Sequence, residues 1–385
     1  MLESLSIKNF RNFRTLQIES LARINLVVGK NSVGKSNLLD AISLYIKQGD
    51  AKYLFELLVQ NKECRKVAEN RYVCRESPLD TLMSLFYGRT PTSVTFGDND
   101  QIDISATPSN WFHKLTISLL FCAVDRSKVK PGWTTFESFS LDTQKYEVNA
   151  IIPDNSTTED YQNSRLLLSV ESGDINWTMD ATESPNFLHF PFSRSQGNPP
   201  LHYIRTQFAQ NRNNAEFWDE INLTAKEELA INALRILLPD IDRLSYKSDK
   251  QGERIPYVKL RNQDAPTPLY SLGEGVGRIL TLILHLVNAE NGTLLIDELE
   301  NGLHYTIQEP LWQMIFTVAQ QLNVQIFATT HSDDCLRAFA EVLKENGHSD
   351  QGRVLRLAKV KDDILCSTYG SRDLEEVFDK EMEVR

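Results

Sequence analysis

Alternating and continuous apolar positions predict a short β-rich start that leads into an α/β unit. Residues 5–7 and 16–18 alternate between apolar and polar side chains, which predicts two half-buried strands. The continuous apolar run at 24–28 predicts a buried strand, and the apolar positions at 37–46 predict a helix. The loop between them, residues 29–36, therefore connects a buried strand to a helix start.

This loop matches the phosphate-binding pattern GxxxxGK[ST] at every fixed position. Its glycines, including Gly34, allow backbone N–H groups at the helix start to approach phosphate oxygens, and the flanking Asn31 and Asn37 belong to the same predicted site. Lys35 is expected to reach the β- and γ-phosphates, and the Ser36 hydroxyl to bind Mg²⁺. The loop therefore predicts a site for a nucleoside triphosphate.

The pattern changes over the next part of the chain. Residues 47–90 predict helices, with apolar stripes at 53–58 and 79–86. Residues 92–170 carry short alternating runs separated by turn residues, which predict an antiparallel β subdomain. The run at 201–204 is expected to return to the main sheet.

The following segment predicts a helix and a hairpin. Apolar positions within 215–238 mark one side of a single helix that Pro239 ends. The basic and acidic residues of 243–261 predict a solvated hairpin.

A second group of motifs supplies acids and a histidine. The apolar run at 293–296 is followed by Asp297 and Glu298, as expected where a strand delivers a carboxylate to a metal. Such a pair is also found at helix N-caps. Upstream, the sequence SLGEG at 271–275 precedes a predicted helix at 276–287. At such a helix start, a serine and backbone amides point towards a bound anion. The strand predicted at 324–330 ends at His331.

Composition limits the partners that this chain can have. The net charge of −11 argues against a surface that binds nucleic acid everywhere, so any DNA contact is confined to one face or made through a partner. No run reaches the length of a membrane helix, and five widely spaced cysteines without a CxxC pair predict reduced thiols in a cytoplasmic protein.

The four motifs, in this order, resemble the ABC-type ATPase heads of the group that includes RecF and the SMC proteins. Within that group, residues 297–304 (DELENGLH) are most similar to the OLD-like branch of AAA ATPases, which is often found in anti-phage defence systems. The resemblance implies an α/β fold, an ABC-type P-loop ATPase head with a mixed central sheet, an antiparallel β subdomain and a helical and β insertion. It divides the chain into an N-terminal head part (1–46), an insertion (47–200) and a C-terminal head part (201–385).

The resemblance also implies roles for individual residues. Lys35, Ser36 and Asp297 would hold ATP and Mg²⁺, Glu298 would be the catalytic base, and His331 would be the switch histidine. Ser271 and Gly273 would contact the γ-phosphate held by the opposite subunit, and Arg11 and Asn12 would touch the nucleotide. The signature is SLGEG where LSGGQ is commoner, and only Gln207 and Gln210 are candidates for the glutamine loop.

Three biological roles stay open. In the first, ATP-dependent dimerisation or higher assembly of this ATPase controls a separately encoded effector, a nuclease or toxin, in anti-phage defence, because the tail after His331 is too short for a Toprim nuclease. In the second, the protein is a RecF-like DNA-repair ATPase. In the third, it is a scaffold that binds ATP for assembly and hardly hydrolyses it. DNA and a phage component remain candidate ligands, and no membrane partner is expected.

Overall fold

The fold was examined in a computed structural model of the chain. It describes residues 1–68, 71–74, 78–88, 101–108, 114–123, 135–137, 148–151, 164–173, 175–180, 187–189, 199–206, 214–236, 238–345 and 348–379.

Strands and helices alternate through the C-terminal half, whereas the first half is richer in strands. The strands are β1 (Ser4–Phe10), β2 (Phe13–Ile18), β3 (Ile24–Val28), β4 (Cys64–Ala68), β5 (Arg71–Cys74), β6 (Gln101–Thr107), β7 (Leu115–Ala123), β8 (Thr135–Glu137), β9 (Val148–Ile151), β10 (Ser164–Ser172), β11 (Ile175–Asp180), β12 (Phe187–His189), β13 (Leu201–Ile204), β14 (Ile241–Ser248), β15 (Arg254–Leu260), β16 (Thr267–Pro268), β17 (Thr293–Ile296), β18 (Gln325–Thr329), β19 (Gly352–Val360) and β20 (Asp363–Tyr369). The helices are α1 (Lys35–Ile46), α2 (Ala51–Gln60), α3 (Pro78–Met83), α4 (Asn214–Ile221), α5 (Ala225–Leu234), α6 (Glu274–Asn288), α7 (Gln308–Gln321), α8 (Asp333–Lys344) and α9 (Ser371–Asp379).

A six-stranded mixed sheet forms the centre, in the order β13-β17-β18-β3-β19-β20. The first five strands run parallel and β20 runs antiparallel to β19. Because parallel strands end at the same edge, the loops after β3, β17 and β18 meet there. The phosphate-binding loop, the acid pair and the histidine are therefore brought to one edge of this sheet.

The central sheet separates two hydrophobic cores. Leu294, Ile326 and their alternate neighbours face a core built with α4 to α8. Leu295 and Phe327 face the other core, with α1, α2 and the N-terminal strands. Since both faces are covered, the strands read as continuous apolar runs in the sequence.

The second large sheet is antiparallel, with a main path of β11-β10-β7-β6-β1-β2 and with β8 and β9 beside β7. The predicted antiparallel strands at 101–104 and 114–120 belong to it, whereas the predicted run at 93–96 lies outside the described residues. Strands β1 and β2 share this sheet with later strands, so it crosses the proposed division after residue 46. The predicted α/β class, with a mixed central sheet and an antiparallel subdomain, is confirmed.

Two secondary-structure predictions are wrong. The helical interpretation of 47–90 fails at β4 and β5, which pair as a hairpin between α2 and α3. The single helix at 215–238 is two helices, because α4 ends at Ile221 and Thr224 caps α5 with its hydroxyl. The hairpin at 243–261 is confirmed as β14 and β15.

Among the described residues, none of the helices combines the length and the apolar character needed to cross a membrane.

Candidate functional site: a phosphate-binding cleft at the sheet edge

The loop after β3 has the backbone of an anion-binding turn. Gly34 has φ 98° and is the N-cap of α1, and Gly29 has φ 149°. A Cβ on Gly29 would lie 2.5 Å from the carbonyl oxygen of Leu357, and one on Gly34 would lie 2.1 Å from Nδ2 of Asn12. Both positions therefore favour glycine, because the backbone lies at positive φ and neighbouring atoms of Leu357 and Asn12 occupy the space that a Cβ would need.

Lys35 lies at the first position of α1, and its side chain is folded back over the loop. Its ammonium donates to the carbonyl oxygens of Gly29 at 2.6 Å and Lys30 at 3.2 Å, and lies 3.4 Å from Nδ1 of His331. Burial lowers the pKa of Lys35, and the charges of the nearby acids, Asp297 first, oppose that shift. None of these contacts is to a carboxylate, and the ammonium lines the cleft, so it can bind an anionic ligand.

The metal-binding pair predicted from the sequence is in contact. The Ser36 hydroxyl donates to both carboxylate oxygens of Asp297, at 3.0 and 3.1 Å. Thr329, at the end of β18, donates to Oδ1 of the same carboxylate at 2.8 Å and fixes its orientation. A hydroxyl and a carboxylate held side by side fit Mg²⁺, which prefers oxygen ligands.

Glu298 has an uncommon backbone conformation, with φ 53°. Its amide donates to the Thr329 hydroxyl at 2.8 Å, and its carbonyl oxygen accepts from Arg278 at 2.6 Å. Asn301 donates to its carboxylate at 2.6 Å. The backbone is thus held on both sides, so that the carboxylate points into the cleft.

His331 lies at the other side of this carboxylate. Its Nε2 is 3.7 Å from Oε1 of Glu298, and its amide donates to the carboxylate of Glu300 at 2.7 Å. The structure therefore brings together Lys35, Ser36, Asp297, Glu298 and His331, which the sequence placed in one site.

Arg11 and Asn12 occupy the turn between β1 and β2, beside the loop. Asn12 accepts a hydrogen bond from Asn37 at 2.9 Å and packs against Gly34. The buried Arg11 guanidinium binds the carboxylate of Glu63 at 3.2 and 3.4 Å. Both residues line the cleft, but the charge of Arg11 is paired with the carboxylate of Glu63, just before β4.

Ser271 and Gly273 lie outside the cleft, on an exposed surface before α6. The Ser271 hydroxyl donates to the carbonyl oxygen of Pro268 at 2.7 Å. Arg278, one turn into α6, connects this helix to the backbone of Glu298. The candidate glutamines Gln207 and Gln210 lie outside the described residues.

The cleft has a volume of about 1160 Å³ and extends beyond the predicted residues. It is also lined by Tyr87, Lys359 and Asp362, and the Tyr87 hydroxyl donates to the carbonyl oxygen of Asp362 at 3.3 Å. No sequence motif marked these three residues. Asn301 could have been found, because it follows Glu298 by three positions in a tight turn.

We predict that Gly34→Ala greatly weakens nucleotide binding, whereas Gly88→Ala does not. Both glycines line the cleft at positive φ, but nothing lies within 4 Å of a Cβ on Gly88, whereas one on Gly34 overlaps Asn12. The shared cost of positive φ, about 1 kcal/mol, cancels in the comparison. Titration with a fluorescent ATP, together with thermal melting, measures the difference. Equal affinities for the two variants would contradict the close packing of Asn12 on the loop.

Comparison with known proteins identifies the class. The family model of the AAA ATPase domain matches residues 1–166 and 201–336, which is more than half of the chain. The chain belongs to this family and is an ATPase, as the sequence predicted.

Individual proteins resemble this chain to different extents. A Helicobacter pylori protein described as ATP/GTP phosphatase is 24% identical over 406 aligned positions, covering 99% of both chains. The DNA replication and repair protein RecF of Chlamydia caviae is 27% identical over 143 positions, covering 32% of this chain and 38% of RecF. A solved SMC head bound to the C-terminal winged-helix domain of ScpA has 11% identity and a TM-score of 0.49, covering 97% of this chain and 99% of that chain. The family and RecF matches support an ABC-type, RecF-like P-loop ATPase.

Proposed function

We propose that this ATPase is a nucleotide-dependent switch in which ATP joins two copies of the chain and hydrolysis releases them. One observation carries the proposal: the cleft is lined by the phosphate-binding loop, Glu298 and His331, with Asp297 bound to Ser36, while Ser271 and Gly273 are exposed outside it. In the proposed dimer, the exposed signature of one copy closes the cleft of the other. Nucleotide binding and dimerisation are then linked.

In this proposal, each residue of the cleft has a defined task. Lys35 and the loop amides bind the β- and γ-phosphates, and Ser36 and Asp297 hold Mg²⁺, which would supply charge neutralisation at the phosphates when bound. Glu298 orients the attacking water and accepts its proton, and His331 lies beside it to contact the γ-phosphate region. Arg11 and Asn12 shape the loop side of the nucleotide site, with Asn31 and Asn37 at its rim.

Contacts within one chain connect the signature to Glu298. Arg278 belongs to the helix that starts at the signature, and its guanidinium holds the carbonyl oxygen of Glu298 at 2.6 Å. Burial lowers the pKa of Arg278, and the charges of Glu300, Glu298 and Asp297 oppose that shift. A second copy that docks on the start of α6 would therefore act on the same backbone that positions Glu298.

Light scattering tests this proposal. We expect ATP with Mg²⁺ to raise the mass of the wild type and of Glu298→Gln, but not of Lys35→Ala, which cannot hold the phosphates. ADP serves as the control nucleotide for each preparation. A mass that is the same for all three proteins, with and without ATP, would show constitutive assembly and would favour the scaffold interpretation.

For the biological role, we propose control of a separately encoded nuclease or toxin in anti-phage defence. The support is the similarity of residues 297–304 to the OLD-like branch, whose member systems use this kind of ATPase. Challenge of cells with phage, with the native neighbouring genes present, tests it: the wild type is expected to protect and Lys35→Ala to fail. Equal plating efficiency in both strains would argue against this role.

A RecF-like role in DNA repair is the second candidate. RecF of Oenococcus oeni is 49% identical over 41 positions, although this covers only 11% of each chain. Binding to duplex DNA that weakens steeply with salt would favour this candidate.

A further inference from the structure

Two buried cysteines face each other across the β4–β5 hairpin. Cys64 and Cys74 are register partners in this antiparallel pair, and their sulfur atoms are 3.8 Å apart. Their residues are 6% and 8% exposed. The hairpin brings the two cysteines together although they are not adjacent in the sequence. Their spacing matches no recognised thiol motif.

The backbone geometry is compatible with a covalent bond between them. Directly opposed residues of antiparallel strands have Cα atoms about 4.5–5.5 Å apart, within the range of about 4.4–6.8 Å that disulfides span. In the described part of its three-stranded sheet, β4 is an edge strand with β5 as its neighbour. An edge strand can shift by the small amount that bond formation requires.

The two thiols have different chemical roles. Cys64 donates its S–H to the sulfur of Cys74, which lowers the pKa of the Cys74 thiol and raises that of Cys64. Burial opposes the first shift, and a hydrogen bond from Thr81 supports it. This hydrogen bond favours the thiolate at Cys74, which suits Cys74 to attack first and Cys64 to close the bond.

We propose that Cys64 and Cys74 form a reversible modification site that hydrogen peroxide closes to a disulfide, and that closure changes nucleotide affinity. In the first step, the Cys74 thiolate attacks one peroxide oxygen, the O–O bond breaks, and sulfenic acid and hydroxide form. In the second step, the sulfur of Cys64 displaces the sulfenic oxygen, and its proton leaves with that oxygen as water. Two thiols are thus oxidised while one peroxide is reduced to two waters, and a thiol reductant reverses the bond.

A short chain of contacts joins this pair to the cleft. Glu63 precedes Cys64, and its carboxylate binds the buried Arg11 guanidinium. Arg11 is followed by Asn12, which packs against Gly34 and binds Asn37 at the start of α1. Because β4 begins directly after Glu63, movement of its first residue acts on the side chain that holds the Asn12 turn.

The modification is tested on the full-length protein by peroxide treatment, alkylation under denaturing conditions, and peptide mass mapping. We expect a Cys64–Cys74 crosslink that dithiothreitol removes and that Cys64→Ser and Cys74→Ser each abolish. Cys366→Ser is the matched control, because that thiol belongs to β20 of the central sheet and not to the hairpin, and it should leave the crosslink intact. Recovery of both thiols unoxidised in the folded wild type would overturn the proposal.

The effect on nucleotide affinity rests on the proposed function and is measured separately with a fluorescent ATP. We expect the oxidised wild type to bind the fluorescent ATP about tenfold more weakly, because closure would weaken the charged hydrogen bond between Glu63 and Arg11. Reduction should restore the affinity. In Glu63→Gln the crosslink should still form, but oxidation should change affinity much less. An unchanged affinity in crosslinked wild type would overturn the coupling, whereas failure of the reduced protein to bind ATP would refute the nucleotide site instead.

Discussion

Glu298→Gln is expected to reduce ATP turnover by about a hundredfold or more while leaving ATP binding intact. The amide cannot accept a proton from water, but it has the shape of the carboxylate and leaves the backbone hydrogen bonds to Thr329 and Arg278 in place. Phosphate release measured at saturating ATP, together with the affinity for a fluorescent ATP, separates chemistry from binding. The closed dimer should accumulate with ATP, because its release depends on hydrolysis.

Glu309→Gln is the matched control for this change. Glu309 is exposed in the first turn of α7 and does not line the cleft, so the same loss of one charge should leave turnover near the wild-type rate. If Glu298→Gln turned over ATP as fast as Glu309→Gln, Glu298 would not be the catalytic base. His331, 3.7 Å away, would then be the next residue to test.

The sequence was most informative where chemistry requires fixed residue types at fixed spacing. The phosphate-binding loop must combine glycines, a lysine and a serine within eight positions, and the acid pair must follow a buried strand. Parallel strands then bring these motifs to one edge, which is why Ser36 and Asp297 meet although most of the chain separates them. The sheet order that places β18 between β17 and β3 completes the arrangement by adding His331.

Residues that support the site were harder to find, because their role depends on three-dimensional neighbours. In the sequence, Thr329 looks like an ordinary strand residue. In the structure, its hydroxyl forms hydrogen bonds with both the side chain of Asp297 and the backbone amide of Glu298. Tyr87 reaches the cleft from a segment with no motif of its own. Arg11 was predicted at the nucleotide, and it lines the cleft, but its binding to Glu63 could not be read from the sequence.

The secondary-structure errors have similar causes. Strand β4 contains basic residues at 65 and 66, and without apolar alternation the preceding helical pattern was extended through it. The break between α4 and α5 depends on Thr224, a local cap whose signal is weak beside the apolar stripe that runs through both helices. Strand pairing decided the first case and a local cap decided the second.

The second large effect that we predict is restoration of activity by mixing two inactive variants. Lys35→Ala removes the phosphate-binding lysine, and Ser271→Arg places a bulky cation on the exposed signature. Each variant alone is expected to be inactive, because every composite site in its homodimer contains one defect. If the signature acts on the opposite copy, a mixed dimer has one site with an intact Lys35 and an intact Ser271.

The size of the recovery follows from the symmetry of the proposed dimer. Each mixed dimer has one of its two composite sites intact, so turnover should return to at most about half of the wild-type value. Mixing Lys35→Ala with the double variant Lys35→Ala, Ser271→Arg is the control and should restore nothing, since no intact lysine is present. If the signature served the cleft of its own chain, neither mixture would recover activity, because every cleft would keep its own defect. The mixing experiment therefore distinguishes a site shared between copies from a site complete in one, which light scattering alone does not.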